Sequence, residues 1–267
     1  MKIRELPVGA RVTDHTRYFP WIVAEQSSPE YGGTVLLSDF LAEAGCFDAP
    51  EPESRFDTVR QFGWNRYPES NVHQWLNSEA EAGWFQPSHD TDCPPDGGGV
   101  TESYADRPGF LNGFSTEFIS SLLPCQIVYA IKDDFYQIRH LKETCRVFLP
   151  SRTELGAEQR GNIREGTRFA LADFPELLNC YPDGDLVARH RLCDRDFHPS
   201  TPYPYWLRSA DSETMSAVYF LGMSRAPWFH ASQVSCGIRP AVVLDRETEL
   251  EEVPDRWGVY CLKGGSR

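Results

Sequence analysis

Tyr205-Trp206-Leu207-Arg208-Ser209 and, after a polar-aromatic interval, Cys236-Gly237-Ile238-Arg239-Pro240-Ala241-Val242 are the stretches that decide the architecture of this chain. Each run is apolar and β-prone, and each carries one embedded arginine. A guanidinium stranded in apolar surroundings is strongly destabilising unless it is paired. Arg208 and Arg239 are therefore expected to tie their strands to acidic or carbonyl partners, a task whose planar fork geometry lysine does not reproduce. Two anchored strands with a variable-looking hairpin between them make a frame, and the segment 210–235 is what that frame displays.

Working outward, the rest of the C-terminal third is also β-like. Ser216–Leu221 and Trp228–His230 are short strand candidates separated by turns. Residues 246–267 read as an acidic extension, with Trp257–Cys261 as a final strand. Toward the N-terminus, Phe19–Ala24 and Thr34–Leu37 are strand candidates. Ser38 is placed to cap a short helix over Asp39–Ala44. Val72, Trp75 and Leu76 have the spacing of one helix face, with Ser70 as cap. Phe110–Leu123 predicts a second helix with Ser115 as a cap inside it, followed by a strand over Gln126–Ile131. Arg146–Pro150 predicts a strand that runs into Ser151-Arg152-Thr153-Glu154, a capping-box tetrad, and a modest helical stretch follows near Arg168–Leu178. Residues 83–108, with Pro94-Pro95 and Gly97-Gly98-Gly99, form a long surface excursion. No period repeats along the chain.

Composition narrows the function classes. The 267 residues are 40% hydrophobic and 13% aromatic, enough for a sizeable core. Thirty-nine acidic and 26 basic residues give a net charge of −13, against nucleic acid and anionic membranes as partners. No apolar leader opens the chain and no run is long enough to span a bilayer. Eight cysteines are scattered without a CxxC pair, which favours reduced thiols in a cytoplasmically synthesised protein.

The ordered set Leu6-Pro7-Val8-Gly9, Trp21-Ile22-Val23, Val35–Ser38, Asn65-Arg66-Tyr67, Ser70–Ser78, Pro108–Leu111, Val147–Glu154, Trp206–Ser209 and Gly237–Ala241 resembles a bacterial and prophage-encoded family built on the C-type lectin fold. Relatives in that fold include formylglycine-generating-enzyme-like domains and the variable proteins of diversity-generating retroelements. The resemblance implies an α+β domain over residues 1–245. It would hold a small twisted antiparallel sheet, two main short helices and long loops, with the segment before Gly237 facing the ligand. It also implies a virion- or tail-associated role, in a homo-oligomer or a phage-type assembly.

The candidate ligand-binding residues in that segment are Ser212, Thr214, Met215, Tyr219, Arg225, Trp228, Phe229, His230 and Ser232, with Trp228 and Phe229 as exposed anchors. Trp75, Trp206, Arg208, Gly237 and Arg239 are assigned to the frame, and Trp21 and Trp64 to the core. His89-Asp90-Thr91-Asp92-Cys93 and Asp194-Arg195-Asp196 with His198 have metal-like composition but lack a matched second half, and read as solvated loops. The Glu-Pro-Asn type of sugar-binding motif is absent. No complete catalytic, metal or cofactor motif is recognisable. The expectation is a binding protein for a protein or glycan ligand, without a cofactor. Two rivals stand beside it: a metal-dependent oxidase using Cys236 with Cys193 or Cys261, and a structural module of a larger assembly.

Overall fold

In the computed structural model the described residues are 1–95, 104–133, 137–157, 164–179, 203–221, 228–234 and 236–264. Arg225, Cys180, Cys193, the Gly97–Gly99 turn and the 194–198 cluster lie outside them. The strands are β1 (Arg11–Thr13), β2 (Trp21–Glu25), β3 (Thr34–Ser38), β4 (Glu43–Ala44), β5 (Cys125–Lys132), β6 (Ile138–Cys145), β7 (Val147–Phe148), β8 (Tyr205–Ala210), β9 (Ala217–Leu221), β10 (Trp228–His230), β11 (Gly237–Ile238), β12 (Ala241–Leu244) and β13 (Val259–Cys261). The α-helices are α1 (Asp57–Phe62), α2 (Asn71–Leu76), α3 (Thr116–Ser121) and α4 (Pro175–Leu178). The fold is α+β.

The Gly237–Leu244 run is divided at Arg239-Pro240. Proline has no N–H to give a ladder, and the chain changes sheet there. β11 joins a five-stranded sheet ordered β10-β9-β8-β11-β4, and β12 joins a six-stranded sheet ordered β13-β1-β2-β3-β12-β7. The architecture is thus two mixed sheets plus a β5-β6 hairpin, in place of one small antiparallel sheet. β8 runs parallel to β11, and β13 runs parallel to β1. The final strand expected within Trp257–Cys261 is β13, which closes the edge of the larger sheet, and Leu250 and Leu262 bridge one another in the core, so residues 246–264 pack as part of the fold.

Local capping accounts for two helices. The Ser70 and Ser115 side chains accept from the His73 and Phe118 backbone N–H groups and start α2 and α3. α3 is shorter than the Phe110–Leu123 reading, since Asp14 accepts from both the backbone and the side chain of Ser115 and fixes the entry there. The helix expected over Asp39–Ala44 does not form. Glu43 and Ala44 pair with Ile238 and Gly237, and Asp39 N–H donates to the Pro20 carbonyl, so sheet pairing satisfies the backbone that a helix would have used.

Trp21, Val23, Leu36, Trp75, Leu76, Phe148, Trp206, Ile238 and Val242 lie in one continuous core. Phe19, Trp21, Phe110, Phe114 and Phe118 meet in it at edge-on and stacked angles. Gly237 has a packing reason: a Cβ there would come 2.4 Å from Leu41 Cδ1.

Candidate functional site

The two embedded arginines hold the frame. Arg208 is wholly buried and grips Glu154 through both terminal nitrogens, at 2.6 and 2.7 Å, while also donating to the Val128 and Leu149 carbonyls. Tyr31 donates its hydroxyl to the same carboxylate. Burial works against the charge of Arg208, yet the summed pull of Glu154, Tyr31 and Glu165 holds its pKa above the ordinary value. Arg239 donates to the Ser38 carbonyl and to the Leu177 and Leu178 carbonyls at the end of α4. A cation on the last carbonyls of a helix is a favourable placement. Both arginines are consumed by architecture.

On this frame, β9 and β10 form an edge of the five-stranded sheet in register Trp228↔Tyr219, Phe229↔Val218 and His230↔Ala217. Alternation sends directly opposite residues to the same face. Trp228, Tyr219 and His230 therefore share one face, with Trp228 39% exposed. The His230 ring stacks on Phe62 with centroids 3.8 Å apart, Trp228 meets His230 edge-on at 5.7 Å, and the Arg152 guanidinium lies 4.0 Å over the Tyr219 ring. Burial lowers the imidazole pKa of His230, which favours the neutral ring in the stack.

The other candidates divide. Phe229 points to the opposite face, where it stacks on Phe220 at 4.3 Å and meets Trp206 edge-on. It is a half-buried packing residue rather than an exposed anchor. Met215 is also turned inward, where its flexible thioether packs beside Val59 and Trp64 in a small second core. Ser212, Thr214 and Ser232 are half-buried. Thr214 is committed to the local turn, accepting from the Ala217 N–H and, through its carbonyl, from Asn65. Ser232 N–H donates to the Phe62 carbonyl, which ties β10 to α1.

The turn from Phe62 to Asn65 leads from this aromatic face to a cavity of about 370 Å³ lined by Glu53, Ser54, Arg55, Phe56, Trp64, Arg66, His89 and Thr91. Arg66 lies 4.0 Å over Trp64, and Arg55 lies 4.7 Å over Phe56. Beneath the cavity, Glu51 accepts from Trp64 Nε1 and from the Thr91 hydroxyl, both at 2.9 Å. Burial, followed by the charge of Asp92, pushes the Glu51 carboxyl up to about 7. Asp48 accepts from the Trp64 and Asn71 N–H groups, and its pKa is raised by burial. His89 Nδ1 lies 3.0 Å from Asp92 and its Nε2 lies 3.4 Å from Glu69. The 89–93 stretch is thus a surface turn, with His89 and Asp90 exposed, that is held in shape by side-chain bonds to Asp92.

Sequence reasoning gave no site role to Glu51, Phe62, Arg66 or Arg152, and placed Trp64 in the core without the cavity beside it. The one available signal was the polar 89–93 cluster, and nothing in it pointed to Glu51. Cys236 is fully buried, and burial pushes its thiol up. Among the described residues no group of three or more His, Cys, Asp or Glu is placed to hold a metal ion. Among them, too, no helix is long and apolar enough to cross a membrane.

No curated protein and no solved structure matches the chain. A family model described as a domain of unknown function, DUF6273, matches residues 31–246, from just before β3 to just past β12. That match takes in the five-stranded sheet and both Arg208 and Arg239 and covers more than half of the chain, which belongs to the DUF6273 family.

Proposed function

We propose that this protein is a non-catalytic recognition protein of C-type-lectin-like design that binds a protein or glycan ligand on the β9–β10 face. The observation that carries the reading is the shared outward face of Trp228, Tyr219 and His230, braced by Phe62 and Arg152. Rings already fixed against neighbours lose little freedom when a ligand covers them, so more of the contact energy remains as affinity. Aromatic faces suit both the apolar faces of sugar rings and the anchor side chains of a protein partner. The cavity at Trp64 and Arg66 lies next to this face and offers a place for a projecting group. A tail- or virion-associated role rests on the family resemblance alone and is an analogy.

The test is an array of glycans and bacterial surface proteins probed with wild type and with Trp228→Ala. The reading expects a hit that the variant loses while its melting temperature stays close to wild type. A ligand bound equally by both proteins would move the binding site elsewhere.

A further inference from the structure

Strand β6 leaves an edge of the fold open. It is eight residues long and pairs with β5 in unbroken register from Cys125↔Cys145 to Lys132↔Ile138. Among the described residues no strand pairs with its other edge. Ile138 to Lys142 are all exposed, including Ile138 at 44% and Leu141 at 37%. A long regular edge with neither proline nor bulge is a template for another strand.

The charge pattern selects the occupant. When a second β6 is laid antiparallel with Leu141 opposite the partner's Leu141, Arg139 stands opposite the partner's Glu143. Two-fold symmetry repeats that pairing at the other end. His140 then faces the partner's Lys142. Opposite charges directly across an antiparallel pair are stabilising and like charges are not. A slip of one residue one way sets Arg139 against the partner's Lys142, and a slip the other way sets Leu141 against it. Either slip also turns the row that continues the core against the partner's solvent row. In the unslipped register Leu141, which lies across from Tyr129 of β5, extends an apolar row to the partner's Leu141. Arg139 already meets Asp133 at 2.6 Å, with its side chain still 59% exposed.

The geometry points to a two-fold homodimer in which the β6 strands of two copies pair antiparallel around Leu141 and join their hairpins into one four-stranded sheet. The partner is a second copy of this chain because the strand is self-complementary in charge and in apolar row. Sedimentation equilibrium on the full chain reads it directly. Wild type is expected to dimerise, Leu141→Glu to raise the dimer Kd at least about tenfold, and Arg139→Glu and Glu143→Arg each to weaken it. The double variant R139E/E143R is expected to restore Kd to within about threefold of wild type, a rescue that misfolded variants would not give. A wild type that stays monomeric up to about 100 μM, a dimer indifferent to Leu141→Glu, or a double variant no tighter than the singles would each overturn the assignment.

Discussion

Arg208 and Glu154 meet as a two-point ion pair in which neither side chain reaches solvent, and they come from segments 54 residues apart. Glu154 also accepts from the Ser151 N–H, while the Ser151 hydroxyl accepts from the Glu154 N–H. A local capping box has thus become the acidic half of a long-range clamp that joins the 151–156 turn to β8. Glu165 sits in the same cluster, accepting from the Ala130 N–H and the Ser209 hydroxyl, and burial raises its pKa.

Breaking one side of this clamp strands the other charge. Arg208→Met is expected to cost about 3–5 kcal/mol in urea denaturation, and Glu154→Gln a similar amount. Arg208→Lys should not rescue, because one ammonium cannot grip both carboxylate oxygens and reach the Val128 and Leu149 carbonyls as well. The pair Arg208→Met with Glu154→Gln should cost less than the sum of the singles, since no charge is then left buried alone. Additive costs would mean that the two residues act independently.

Trp228 and Phe229 are neighbours in sequence with opposite roles. Trp228→Ala is expected to change stability by less than about 1 kcal/mol. Phe229→Ala removes the stack on Phe220 and the edge contact with Trp206, and is expected to cost about 2 kcal/mol or more. Thermal melts of the two variants decide the matter, and equal losses would contradict the alternation seen in β10.

The frame strands were legible because β8 and β12 bury every side chain they carry and so read as unbroken apolar runs. Arg208 and Arg239 announced that partners were needed but not which ones. Glu154 looked like a cap, and the α4 carbonyls that hold Arg239 carry no sequence signal. β6 was missed because Arg139, His140, Lys142, Glu143 and Thr144 offer no apolar alternation; its partner β5 supplies the order. The cavity was missed for a related reason. Glu51 and Thr91 are 40 residues apart in polar stretches, and only the tertiary fold brings them under Trp64.

Glu51 makes stability depend on pH with a definite sign. Its carboxyl is raised from 4.5 to about 7 in the folded protein, so between those values the folded state holds a proton that the unfolded state has released. The contribution of Glu51 to stability is then fullest below about pH 4.5 and falls as pH rises toward about 7. The raised carboxyl of Asp48 acts in the same direction. Glu51→Gln keeps an acceptor for Trp64 and Thr91 and removes the titration. Urea denaturation from pH 5 to pH 7.5 should show a shallower decline in the variant, and identical slopes would mean that Glu51 titrates near its ordinary value.

Thiol reactivity separates a packed frame from an oxidase centre. The thiolate is the reactive and metal-binding form. Cys236 is wholly enclosed with its thiol pushed up by burial, whereas Cys93 and Cys261 are only half-buried. Burial also raises Cys261, and the carboxylates Asp14, Glu251 and Asp255 add to the shift. In a Cys180→Ser/Cys193→Ser background, an aromatic disulfide reagent should label Cys93 and Cys261 in the native protein. Cys46, Cys125, Cys145 and Cys236 should react only as the chain unfolds. A Cys236 that labels as fast as Cys93, or stoichiometric copper lost on Cys236→Ser in the otherwise native chain, would show an accessible sulfur site there. The oxidase reading would then replace the recognition protein.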